Sequence, residues 1–179
     1  MDILFRDATM TMAIFGFFAA AWFGWARERP PAGNARWWLA GGSVLGLLLA
    51  VAGGVLSWLH WDSGSVPAAE RAMTLCLVIL GVEFAVALLG VLVLLAMDRR
   101  EYFAPWICLV VGVHFVPLAG VLDNVLLYPL AVWLTLWPFL AVRWANRRDL
   151  AYGFTTGVGA GPALLLVALS GMLIALLAR

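Results

Sequence analysis

Lysine is absent from this 179-residue chain; all eleven basic residues are arginine. That excludes chemistry built on a lysine Schiff base, including retinal attachment and pyridoxal phosphate catalysis. Charge is scarce altogether, at 12% against about 25% in a soluble domain. A formal net charge of +1 gives no electrostatic case for a nucleic-acid partner. Only two cysteines occur, Cys76 and Cys108, each inside an apolar run and with no Cys/His spacing for zinc. They read as small buried hydrophobes. Neither a metal nor a cofactor is expected. Two histidines are the least a bis-histidine haem needs, but His60 and His114 fall at different depths, which argues against haem.

What the chain has in excess is apolar surface. Hydrophobic residues make up 65% of it, more than a water-soluble fold can hide, so an integral membrane protein is expected, with the lipid bilayer as its first partner. The expected fold class is all-α and polytopic, one domain over residues 1–179, with short loops. A crossing helix needs roughly 20 apolar residues. Six segments fit: 8–26, 37–59, 73–97, 103–122, 125–142 and 151–178. The run from Phe103 to Val142 is too long for one crossing, and Asp123 and Asn124 suit a tight turn inside it. A hairpin is therefore expected there, with one spanning helix plus a re-entrant piece as the alternative. The start, MDILFRD, has no basic region, and the run behind it lacks a small-residue cleavage site, so it reads as a retained first span.

Arginine distribution predicts the orientation. Arg27, Arg29, Arg36, Arg99, Arg100, Arg143, Arg147 and Arg148 fall in loops on one side, against Arg6, Arg71 and Arg179 on the other. The positive-inside rule then puts the arginine-rich face in the cytoplasm and both termini outside; the expected location is a bacterial inner membrane. Trp22, Trp25, Trp37, Trp38 and Trp144 are expected at the inner interface, and Trp58 and Trp61 at the outer one, where His60 also falls. Asp2, Asp7, Asp62, Glu70 and Asp123 make the outer side mildly acidic, either as ordinary solvated loops or as an entrance that gathers cations.

Inside the spans, two ionisable residues stand out. Glu83 is near the middle of the third span and His114 near the middle of the fourth. Counted from the short connection between these antiparallel helices, Glu83 lies about 21 Å deep and His114 about 17 Å. They can therefore meet. A charge at the bilayer centre costs at least about 2.5–3.5 kcal/mol on insertion scales. Alone, Glu83 would stay protonated and His114 neutral; together they can share one proton as a coupled pair. Ala87 and Gly90 follow Glu83 on one helix face and favour an inward orientation. Pro117 leaves the Val113 carbonyl without its helical donor and loosens the helix beside His114. Tyr128, Thr135, Asp123, Asn124 and His60 are secondary candidates. The bland alternative is that buried polar groups merely join helices, at about 0.6 kcal/mol each.

Glycine forms two patterns. Gly42, Gly46, Ala50 and Gly54 recur every four residues in the second span, and Gly153, Gly157 and Gly161 do so in the sixth. Both read as close-packing faces, toward helices of the same chain or of a second copy, so a homo-oligomer is a candidate assembly. The YGFTTGVGAGP segment has a second reading, a broken helix whose backbone, with Thr155 and Thr156, lines a site. The stretch Val111–Ala119, VGVHFVPLA, resembles one found in small multi-span bacterial membrane proteins of unknown function. The resemblance implies no activity, but it points to the same His114 and Pro117.

Three functions remain open on these residues. One is a small transporter or permeation protein with a proton-responsive Glu83–His114 site. Another is an intramembrane enzyme using acid-base chemistry on a lipid or isoprenoid. The last is a structural or assembly subunit of a membrane complex.

Overall fold

The computed structural model describes residues 2–61, 70–122 and 124–178. Apolar runs in a bilayer must satisfy every backbone group internally, and the chain does so as helices. These are α1 (Asp2–Ala26), α2 (Ala35–Leu59), α3 (Glu70–Ala96), α4 (Phe103–Val121), α5 (Leu127–Arg148) and α6 (Tyr152–Leu177), with one 3₁₀ turn at Arg100–Tyr102. No strand occurs among the described residues. α3 and α5 each end on an aspartate in left-handed conformation, Asp98 (φ 53°) and Asp149 (φ 52°). There Arg99 N–H and Leu150 N–H reach back to the Leu94 and Ala145 carbonyls and close the helix ends.

Five of the helices, all but α5, are long and apolar enough to cross a membrane. α5 is diluted by Tyr128, Trp133, Trp137, Pro138, Arg143 and Asn146, and it continues to Arg148, beyond the expected end at Val142. It nevertheless lies antiparallel along α4: Cys108 Sγ points to the Leu134 carbonyl at 3.5 Å, Gly112 abuts Leu134 and Thr135, and Gly120 faces Tyr128. The 103–142 region is thus a helical hairpin of α4 and α5.

α1 forms the centre. Glycines let its neighbours approach to backbone contact. A Cβ on Gly46 would stand 2.7 Å from the Gly16 carbonyl oxygen, and one on Gly53 would stand 2.6 Å from that of Thr9. On the other flank, a Cβ on Gly157 would meet the Trp22 oxygen at 2.6 Å, and one on Gly171 the Ala8 oxygen at 2.7 Å. Gly42 and Gly161 accommodate the Phe23 ring, and Gly153 faces Trp25. These glycine faces are consumed within the chain, so they give no support to assembly of two copies through them. Gly54 departs from the expected seam, with no atom within 4 Å of a Cβ there. The reason is periodicity: strict four-residue steps drift around a helix of 3.6 residues per turn, and Gly53 returns to the Gly42–Gly46 face while Gly54 rotates off it.

Two further expectations are corrected. α6 runs unbroken from Tyr152 to Leu177, with Thr155 and Thr156 fully buried in the packed core, so the broken-helix reading fails. Trp133 Nε1 donates to the Gly159 carbonyl, and Trp137 Nε1 to those of Thr155 and Thr156, which supplies donors to carbonyls in the glycine-rich, Pro162-interrupted stretch. Trp22 is a core residue, stacked on Trp25 at 5.4 Å, and not part of an interfacial belt. Trp37, Trp38, Trp58 and Trp61 are exposed.

The first turn of α6 meets the end of α1 at Trp25 and Glu28, and Tyr152 meets Tyr102 of the 3₁₀ turn at 4.9 Å between ring centroids. The arginine-bearing connections therefore gather at one end. At the opposite end Phe5 and Ala8 of α1 cluster with Ala175 of α6 and Leu56 of α2.

Candidate functional site: the seam between α3 and α4

α3 has a narrow inward face. Cys76, Ile79, Glu83, Ala87, Gly90, Val91 and Leu94 are half-buried at helical spacing, while Leu77, Val78, Val82, Phe84, Leu88, Leu89, Leu92 and Val93 are exposed. Its packing partner is α4. None of its apolar span is buried. α3 is thus attached to the bundle along one edge.

Three contacts make that attachment. Glu83 Oε1 stands 3.3 Å from His114 Nδ1, with side-chain exposures of 13% and 10%. The approach is off the hydrogen-bonding direction, so Nδ1 has no hydrogen-bond partner. Toward the end that carries the short α3–α4 connection, Trp106 Nε1 donates to the Ala87 carbonyl at 3.2 Å. One turn further along α3, Gly90 lies flat against the Trp106 indole, with no room for a side chain. His114 in turn rests on Phe115 at 4.4 Å between ring centroids, and Phe115 stacks on Phe15 of the central helix at 5.6 Å. The imidazole therefore connects the peripheral acid to the core of the bundle.

The other candidates lie elsewhere. Pro117 is inside α4 and exposed, three residues beyond His114. Asn124 belongs to the α4–α5 turn: its Oδ1 accepts from Leu126 N–H at 3.1 Å and its own N–H donates to Ala119 O at 3.0 Å. Tyr128 faces Gly120 at that same turn, about 9 Å along α4 from His114. Thr135 packs against Gly112. His60 ends α2, with Nδ1 2.9 Å from the Leu56 carbonyl and its ring against Phe5. Asp123 and Asp62 lie outside the described residues. Glu83 and His114 are thus brought together, while Asn124, Tyr128 and His60 serve helix ends.

Sequence reasoning passed over Trp106. Its signal was present, because the antiparallel register that faces Glu83 with His114 also sets Trp106 against Gly90, a large ring opposite an absent side chain. Among the described residues no group of three or more His, Cys, Asp or Glu could hold a metal ion. Neither of the two described cavities is lined by Glu83 or His114. No family model, curated protein or solved structure matches the chain. The class that the fold supports is an integral membrane protein built of apolar helices.

Proposed function

We propose that this is a small transport or permeation protein of the bacterial inner membrane, with six crossings, both termini outside, and the Glu83–His114 contact as its proton-responsive element. The carrying observation is the 3.3 Å approach of a carboxylate and an imidazole at the one-edged seam of α3. Support for a sixth crossing comes from the antiparallel packing of α5 on α4 at Cys108, Gly112 and Gly120. The arginines gathered at one end support the orientation.

The electrostatics define the response. With one shared proton, the pair is neutral overall, whether as two neutral groups or as an ion pair. A second proton leaves a net imidazolium, and loss of the proton leaves a net carboxylate. Either state puts uncompensated charge at the middle of an apolar seam, at about 2.5–3.5 kcal/mol on insertion scales. The seam is therefore tightest when one proton is shared, and it loosens as pH moves away on either side. Because α3 is fastened along one edge only, loosening there moves one helix and leaves the core packed.

The experiment is proton flux into proteoliposomes carrying a trapped pH dye. The wild-type protein should dissipate an imposed gradient, and Glu83→Gln, which keeps shape and removes the carboxyl's titration, should fall to the rate of empty vesicles. Equal flux from both proteins would remove the reading. The assembly-subunit reading keeps one observation in its favour, the long bare apolar face of α3. The lipid-enzyme reading has no cavity at the pair to favour it among those described.

A further inference from the structure

At the end of the bundle away from the arginine cluster, Arg6 is buried to 8% exposure. Its backbone is fixed at the α1–α2 seam: the Thr9 hydroxyl donates to the Arg6 carbonyl at 2.8 Å and the Ser57 hydroxyl to the same oxygen at 3.3 Å. Its guanidinium lies over the Trp61 ring, 4.2 Å from the centroid, and its Nε has no hydrogen-bond partner. No carboxylate pairs with it among the described residues. A guanidinium one residue inside an apolar span is costly unless an anion or a ring meets it, and its fork of N–H groups matches phosphate.

Directly beside it runs a groove of about 200 Å³, lined by Met10, Ala13, Ile14, Gly54, Ser57 and Trp58, with Trp61 at its rim. Trp61, whose ring carries the guanidinium, is also a wall of the groove, and Ser57, bonded to the Arg6 backbone carbonyl, is another. The groove exists because Gly54 has no side chain and nothing within 4 Å of where one would be. Its walls Ile14, Trp58 and Trp61 are exposed, so it opens sideways toward the hydrocarbon. From Arg6 to Ile14 the rise is roughly 12 Å, a length suited to the upper part of an acyl chain.

We propose that this corner binds one anionic phospholipid, with the phosphate on the Arg6 guanidinium, the glycerol region at Ser57 and Trp61, and one acyl chain laid over Gly54 between Met10, Ile14 and Trp58. The cation and the apolar groove are each ordinary alone. Joined end to end at interfacial depth, they match an amphiphile with a phosphate head, and a free phosphate would use only half of the site.

The test is native mass spectrometry of the full chain released from detergent, with phosphatidylglycerol and phosphatidylcholine of identical chains. Wild type should retain phosphatidylglycerol over phosphatidylcholine by about tenfold, because both bring a phosphate to Arg6 but the choline ammonium of the zwitterion repels the guanidinium. Arg6→Gln should abolish that preference, and Arg6→Lys should keep part of it. Gly54→Leu fills open space, so it should melt like wild type yet lose retention of both lipids. Arg147→Gln/Arg148→Gln, at the far end, should leave the preference intact. An unchanged preference in Arg6→Gln overturns the site, as does its loss in the far-end variant. Displacement by inorganic phosphate together with wild-type retention in Gly54→Leu would show a phosphate site without a lipid groove, and that too contradicts the proposal.

Discussion

α1 and α3 invert the rule that governs soluble proteins. α3 is the most apolar of the five apolar helices, and none of its span is buried; α1 is the least apolar, and 44% of its span is buried. In water the greasier helix would go inside. In lipid, apolar surface has nothing to gain by leaving the tails, and helices associate where backbones can approach closely or polar groups can meet. α1 carries Ala8, Ala19, Ala26 and Gly16 and meets Gly46, Gly53, Gly157 and Gly171 from both sides. α3 carries mostly Leu and Val, and its attachment relies on one acid, one small-residue patch and one tryptophan from α4. The core is held by shape and the periphery by a few polar contacts, so the two regions should respond differently to mutation and to pH.

The sharpest contrast is between two glycine substitutions. Gly46→Leu drives a side chain into the α1 backbone, and the whole bundle should lose stability by about 3 kcal/mol or more, since overpacking costs typically 1–3 even where neighbours can shift. Gly81→Leu, on α3 with nothing within 4 Å, should leave the melting temperature in detergent unchanged. Similar melts for the two would break the comparison.

Next comes the pair itself. A double-mutant cycle on Glu83→Gln and His114→Asn should give a coupling of about 1 kcal/mol, within the range measured for polar contacts between membrane helices. The loss should show as faster hydrogen exchange confined to α3, with α1 and α6 unaffected. Exchange that rises equally in all helices would mean that α3 is not a separable element. The smallest effect is expected from Trp106→Phe, which keeps the ring against Gly90 and removes the bond to the Ala87 carbonyl. It should cost about 0.5–1.5 kcal/mol, again read as α3 exchange.

Much of this organisation is legible in the sequence. Apolar run length and polar punctuation locate all six helices, and equal depth in adjacent antiparallel helices is enough to bring Glu83 and His114 to one level. Rotation is harder, because it depends on which neighbour each face meets. The Gly53–Gly54 pair illustrates this: one residue makes the α1 seam and the next opens the groove, and only the cumulative phase from Gly42 separates them. α6 stays helical through Gly159 and Pro162, and the indoles of Trp133 and Trp137 from α5 bond to its Thr155, Thr156 and Gly159 carbonyls, contacts that no local pattern in α6 records. Arg6 reads as a loop charge in sequence, since its cover comes from Trp61, just beyond the end of α2.

The most direct test is the distance between α3 and the rest of the bundle, measured in bilayers by paired spin labels at Leu88 and Phe139, both exposed, with Cys76 and Cys108 replaced. The wild-type distance should be short and narrowly distributed over one pH window and broaden on either side; Glu83→Gln should remove the broadening on the alkaline side, and Glu83→Gln/His114→Asn should remove it on both. A single narrow distribution at every pH, the same in both proteins, would contradict a proton-responsive seam.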